Sequence, residues 1–399
     1  MRHELPFPIQ NDFGICSYLK NAWESGWLDE YSHEHFLIKA LENRLTTFIG
    51  YTQMLNNEPN LHGLIKDKGI IDNNSFNLNF CLNLSTRLAR LDGAFGTNQI
   101  KRFIKEQLSA GKQKYDEDTF FEALSEISIL HFYASKNCWK ETFYELPIEK
   151  SNRKNPEATF IGEFDIGDDR KDVIVNVEVK CPKFPSMEYQ ENKIVIPTIL
   201  LSDEGREHIP AYCKENGFTY ISPRIMKIKD FLNSAASKFS IPEGNKYNLL
   251  YINWSYCDFP SNSFLEAWSL LTNTINGILT HPEIAQSLGV SIEVYEKISA
   301  VIVYTEALEG LMFSDFRNVW QTNGQGPKFR MWVMNNQLRH TEKTRESDIL
   351  FYITGMKPTD ELTQFAMIDY KTQSDPTEVE NAIFQIKLID LIKKHAKTE

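Results

Sequence analysis

The sequence predicts an α/β fold, a mixed sheet flanked by helices and preceded by an α-helical N-terminal domain, and three observations predict it. Apolar residues recur at three- and four-residue spacing through much of the first 110 positions, the spacing of one helix face. Three segments between 142 and 181 then read as consecutive strands. Beyond them, helical patterns alternate with short apolar runs, the order that layers helices on the faces of a sheet.

Residues 14–56 and 81–110 carry the first signal, clearest in Leu84, Leu88 and Leu91 and then in Ile100, Phe103, Ile104 and Leu108. The polar stretch from Gly111 to Asp118 predicts a domain boundary, with Asp118 or Thr119 as cap of the next helix, 119–135. Strands follow at 142–148, 159–166 and 173–181, and Pro182 and Pro185 close the third. A helix over 228–239, a core strand over 247–254, a helix over 264–278 and a strand over 299–305 continue the pattern. Strands at 349–354 and 365–370 and a helix over 376–395 end it. The implied division is a helical domain over 1–115, a sheet domain over 116–345 and a strand-helix extension over 346–399.

Composition sets the class. With 42% hydrophobic and 24% charged residues over 399 positions, the chain has the make-up of a folded globular protein. The six cysteines form no C-x-x-C pair, which speaks against a zinc ribbon or a disulfide framework. Residues 1–8 lack a signal-peptide apolar run and no run of about 18 apolar residues occurs, so a cytoplasmic protein without membrane contact is expected. The net charge of −11 argues against a protein that coats nucleic acid. The excess is concentrated, with 17 basic and 24 acidic residues between 116 and 260. Clustered carboxylates are what a metal-dependent nuclease needs, so nucleic acid stays open as substrate. Lys101, Arg102, Lys105, Lys112 and Lys114 form a basic run suited to a phosphate backbone, or equally a solvated helix face.

The chemistry gathers on two of the strands. Val173, Val175, Val177 and Val179 alternate with Ile174, Asn176, Glu178 and Lys180, so a carboxylate and an ammonium share one strand face. On the strand before, Glu163 and Asp165 share a face opposite Phe160, Phe164 and Ile166. With Arg170 and Lys171 at the tip of the connecting turn, Asp165 lies opposite Asn176 and diagonal to Glu178, within reach of one shared cation. On the preceding helix Phe120, Leu124, Ile127, His131 and Ala134 form the apolar stripe. Glu126 lies nearer that stripe than Glu122 and is ranked first as an inward-facing acid.

These parts resemble the PD-(D/E)XK phosphodiesterase superfamily, the restriction-endonuclease-like fold. The match consists of the acidic helix with Glu126, Glu163-Phe164-Asp165, and Asn176-Val177-Glu178-Val179-Lys180, followed by a helix and a core strand. It covers residues 119–255, or to 305 at most, and leaves the first 110 residues aside. Phe164 stands where that family usually has proline. The resemblance implies a Mg²⁺ site, with Mn²⁺ as substitute, held by Asp165, Glu178 and Glu126, and a catalytic role for Lys180 on the attacking water. It implies a Mg²⁺-dependent endonuclease acting on DNA rather than RNA, of the kind found in restriction and anti-phage defence, with a protein partner or second copy of the chain as regulator. The alternatives are an RNase of the same fold and a catalytically inactive scaffold acting by protein interaction.

Lys180 has two physical roles open to it. Beside a cation its pKa falls and it accepts a proton from water, or it stays charged and stabilises the developing phosphate charge. The acid-x-Lys pattern recurs at Asp169-Lys171, Glu191-Lys193 and Asp369-Lys371, of which the last is the rival site. A surface ion pair explains Glu178 and Lys180 equally well when they are taken alone. His33-Glu34-His35 lacks metal-site spacing, His131 reads as a core histidine, and Gly324 to Lys328 reads as a turn. Lys229 and Lys238 on the later helix either approach a phosphate or face solvent.

Overall fold

The computed structural model describes residues 16–42, 44, 73–146, 155–166, 169–182, 193–195, 208, 211, 212, 214–217, 219–221, 225–254, 267, 270, 271, 277–279, 281–304, 329–333, 349, 350, 353 and 354. The chain starts with helices α1 (Ser17–Glu24), α2 (Phe36–Leu41), α3 (Asn73–Phe95) and α4 (Thr97–Phe103). A π-helical turn, Ile104–Leu108, extends α4, and α5 (Glu117–Ala134) follows. His35 starts α2: its Nδ1 accepts from the Leu37 amide at 3.0 Å, and the opposite ring nitrogen donates to the Leu108 carbonyl at 3.0 Å. Asp116, rather than Asp118 or Thr119, caps α5, accepting from the Thr119 amide at 2.7 Å. Between α4 and α5 the backbone turns left-handed at Ala110, Gly111 and Lys112. A Cβ at Gly111 would lie 2.4 Å from the Lys114 carbonyl oxygen, so the turn admits only glycine there.

The main sheet has six strands in the order β1 (Trp139–Tyr144), β2 (Ala158–Ile166), β3 (Asp169–Lys180), β6 (Lys246–Asn253), β7 (Ala300–Tyr304) and β8 (Phe329–Val333). It is mixed: β1, β2 and β3 run antiparallel to one another, β3, β6 and β7 run parallel, and β8 returns antiparallel. The pairing of edge strand β1 with β2 slips at a bulge between Trp139 and Glu141. Helix α6 (Ile225–Lys238) makes the crossover into β6, and α7 (Pro282–Ser287) and α8 (Glu293–Lys297) precede β7. Two short parallel strands, β4 (Lys193–Val195) and β5 (Thr219–Ile221), form a separate ribbon.

Side-chain alternation along the strands divides the buried side chains into two layers. Val173, Val175, Val177 and Val179 face the same core as Tyr247, Leu249 and Tyr251, and that core continues without a break through α5 into α1–α4. Helix α5 is therefore covered on both sides, and every residue from Ala123 to His131 is buried. On the opposite face Leu250, Ile252, Val301 and Val303 pack under Ile228, Leu232 and Ala235 of α6 and Phe239 just after it. Strand β6 touches both layers, which is why Leu249 to Ile252 read as a continuous apolar run. A polar seam crosses the α6 side of the sheet. Thr159 donates to Asn176 at 2.8 Å, Asn176 to Asn248 at 2.8 Å, and the Asn248 amide to the carbonyls of Lys297 at 2.6 Å and Ser240 at 2.7 Å.

The strand expected over 349–354 is not one. Ile349, Leu350, Ile353 and Thr354 are helical, and the Thr354 hydroxyl donates to the Leu350 carbonyl one turn earlier at 2.7 Å. A short apolar run does not by itself distinguish a strand from a buried helical turn. The expected strand at 365–370, the helix at 376–395, the Gly324 to Lys328 turn and the rival Asp369-Lys371 pair lie outside the described residues.

Candidate functional site

The hairpin register decides which acids meet. Strand β2 pairs along its whole length with Asp169 to Val177 of β3, with Thr159 opposite Asn176, Ala158 opposite Val177 and Asp165 opposite Arg170. The expectation that Asp165 faces Asn176 is therefore corrected. Strand β2 runs to Ile166 and β3 starts at Asp169, so Arg170 and Lys171 lie within the paired strand, opposite Asp165 and Phe164, rather than at the tip of the connection. Eight residues of β3 separate Arg170 from Glu178, roughly 25 Å at the rise of a strand, too far for one cation to touch both acids. Asp165 is exposed and lies 3.7 Å from the Arg170 side chain at the far end of the hairpin.

The same register brings Glu157, the residue before Ala158, next to Glu178, the residue after Val177. These two acids lie where β3 and β6 end, since Glu178 is beside Leu250 and Lys180 beside Ile252. Glu178 is completely buried. The Lys180 ammonium lies 2.5 Å from its Oε1 and the Lys238 ammonium, delivered by the end of α6, 2.7 Å from it. Glu157 Oε1 lies 3.1 Å from Lys238 and 3.8 Å from Lys180. Lys238 donates to Glu157 Oε1, both ammoniums lie against Glu178 Oε1, and Glu178 Oε2 has no hydrogen-bond partner among the described residues.

Glu126 reaches the same region from α5. It is buried, whereas Glu122 is only half-buried. Tyr144 at the end of β1 donates to its Oε1 at 2.9 Å. On the next turn of the rim, Glu145 pairs with Arg102 and receives Gln107 at 3.4 Å, both presented by α4 and its π-helical extension. Its amide bonds the Glu157 carbonyl at 3.0 Å. The structure thus brings Glu126, Glu178 and Lys180 together, adds Glu157 and Lys238, and leaves Asp165 out.

Burial dominates the electrostatics. It pushes the Glu178 carboxyl up to about 7, helped by repulsion from Glu157 and opposed by Lys180 and Lys238. Glu126 is raised well above the usual carboxylate range by burial and by the charge of Glu157, against the lowering effect of the Tyr144 hydrogen bond. For Lys238 burial acts downward, but Glu178 and Glu157 outweigh it and hold the ammonium firmly charged.

Sequence reasoning passed over Glu157 because it lies before the strand, in a polar loop. One signal was available: Glu157 has the same strand parity as Thr159, Ile161, Glu163 and Asp165, and it follows Pro156, the proline found missing before Asp165. Lys238 had been left between phosphate and solvent, and it is largely buried, bound to two carboxylates.

In donor type Glu126, Glu157 and Glu178 fit a hard divalent cation, and Glu178 Oε2 is a buried acceptor with no donor aimed at it. In arrangement the ammoniums hold the inner oxygens, and among the described residues no group of three or more His, Cys, Asp or Glu side chains is set to hold a metal ion. The other motifs have structural roles. His35 is a helix cap, Lys101 lies over the Trp27 ring at 5.8 Å, and Lys112 pairs with Glu30 at 2.6 Å. Among the described residues no helix is long and apolar enough to cross a membrane. Compared with protein-family models, curated proteins and solved structures, the chain finds no match in any of the three.

Proposed function

We propose that the chain is a metal-dependent phosphodiesterase of the restriction-endonuclease-like kind, an endonuclease acting on DNA, with Glu157 in the part first assigned to Asp165. The observation that carries it is the meeting of Glu157, Glu178 and Lys180 at the carboxyl ends of the parallel strands, with Glu126 behind them. Ligands of open α/β sheets bind at such strand ends. The order of a helix, three antiparallel strands, a helix and a parallel strand supports the fold-level resemblance.

Glu157 and Glu178 would hold Mg²⁺ or Mn²⁺, with Glu126 as a further oxygen donor. When bound, the ion neutralises phosphate charge and acidifies water. Lys180 is fixed on β3 two residues from Glu178, where its ammonium meets a phosphate oxygen or orients water. Tyr144 keeps the Glu126 carboxyl in one orientation. A restriction or anti-phage role fits such a nuclease by analogy.

The test is incubation of plasmid DNA and of RNA with wild type and with Glu157→Gln, Glu178→Gln, Lys180→Ala and Asp165→Ala, in Mg²⁺, Mn²⁺ or EDTA. Metal-dependent DNA cleavage lost in the first three variants and kept in Asp165→Ala is expected. Cleavage that survives Glu178→Gln and Lys180→Ala would move the chemistry elsewhere, and cleavage of RNA alone would make the enzyme an RNase. One observation favours the second reading, a scaffold acting by protein interaction: two ammoniums already match Glu157 and Glu178. On that reading no metal alters the protein and neither nucleic acid is cut.

A further inference from the structure

Lys238 is the last residue of α6, and the burial of Ala235, Ala236 and Phe239 fixes that helix end against the sheet. Its side chain is only 20% exposed, and its ammonium lies between Glu178 Oε1 at 2.7 Å and Glu157 Oε1 at 3.1 Å. Lys180 approaches the same two oxygens at 2.5 and 3.8 Å. Two carboxylates and two ammoniums therefore balance, and a divalent ion added to that set would leave a net charge of about +2 in a largely buried site, which a lowered dielectric penalises. One cation has to leave. Lys180 stands on the same strand face as Glu178 and is tied to it by the backbone. Lys238 comes from a separate element on a flexible four-carbon stem and can withdraw without moving the sheet.

We infer that Lys238 is a built-in competitor of the divalent ion, an ammonium that holds the Glu157–Glu178 pair and is displaced when the metal binds. The inference rests on the metal-site reading above and adds to it a threshold of metal concentration set by one side chain. Removal of the competitor exposes the paired acids, so a neutral residue at 238 leaves the protein less stable alone and more responsive to metal. A charged replacement keeps the competition.

The experiment is titration of Mn²⁺ and Mg²⁺ into wild type, Lys238→Met, Lys238→Gln and Lys238→Arg, followed by calorimetry and by the melting temperature. Apparent affinity about tenfold tighter in Lys238→Met and Lys238→Gln than in wild type is expected, with Lys238→Arg no tighter than wild type. The neutral variants also gain more melting temperature per addition of metal than wild type does. Lys238→Gln, whose amide still donates to both acids, is the variant to use if Lys238→Met fails to fold. Glu178→Gln serves as control and abolishes binding. Unchanged or weaker affinity in the neutral variants, with wild type binding, overturns the competitor and leaves the metal site standing. Absence of metal binding in wild type and neutral variants alike overturns both.

Discussion

His35 shows how much one ring can hold. It caps α2 through Nδ1, reaches the Leu108 carbonyl through its other nitrogen, and packs against Tyr31, Tyr115 and Phe120 at centroid distances of 4.5, 4.6 and 4.8 Å. Burial pushes it down to about 4, and burial, with Arg87 and Arg90, does the same to His131. In the unfolded chain each titrates near 6.5, so between about pH 6.5 and 4 the unfolded state binds more protons and stability falls as pH falls. Each ring accounts for up to ~3 kcal/mol over that window. Urea unfolding at pH 7, 6 and 5 should show the loss, and His35→Asn, which keeps a capping acceptor, should flatten the slope while costing stability at pH 7. Glu126 has the opposite sign. Its raised carboxyl keeps a proton that the unfolded chain gives up above about 4.5, so stability declines as pH rises beyond that point. Glu126→Gln should unfold later than wild type at pH 8, by roughly 1–3 kcal/mol, and the gap should close toward pH 4.5.

At the scale of elements, caps and seams decide the outcome. Asp116→Ala removes the acceptor that starts α5 and should lower stability by about 1 kcal/mol in thermal melts. Asn248→Ala should cost more, roughly 2–4 kcal/mol, because it strands the Asn176 amide and the carbonyls of Ser240 and Lys297 in a buried seam. Most elements were legible: the helix expected over 119–135 and the strands expected over 159–166 and 173–181 follow from periodicity and correspond to α5, β2 and β3, whereas the helical stretch expected over 81–110 starts at Asn73 and divides at Gly96 into α3 and α4. The register was not. Glu157, Thr159, Ile161, Glu163 and Asp165 share one face, so sliding β2 by two residues keeps every apolar side chain inside and alternation cannot choose between the acids. The observed pairing, with Ala158 opposite Val177, puts Glu157 and not Asp165 beside Glu178. The burial of Lys238 was equally hidden, because a lysine at a helix end has the same pattern whether it meets solvent or a carboxylate.

Over the whole molecule the continuous core matters most. Leu84, Leu88, Ile104 and Leu108 belong to the same cluster as Phe120, Leu124, Val175 and Tyr251, so the polar stretch from Gly111 to Asp118 crosses the surface of one core. A chain beginning at residue 116 would expose the outer side of α5. Expressed alone, residues 116–399 should aggregate or bind hydrophobic dyes, while the full chain unfolds in one cooperative transition; two separate transitions would contradict this. The bulge between Trp139 and Glu141 acts at the rim of this assembly. An edge strand with free amides invites another chain to add to it, and β1 is such an edge. The slip after Trp139 breaks the even spacing that an incoming strand would need, and Lys140 on the same stretch is charged and half exposed. Among the described residues β1 therefore closes this side of the sheet, and the hairpin of the candidate site is kept from serving as a seed for fibrous self-assembly.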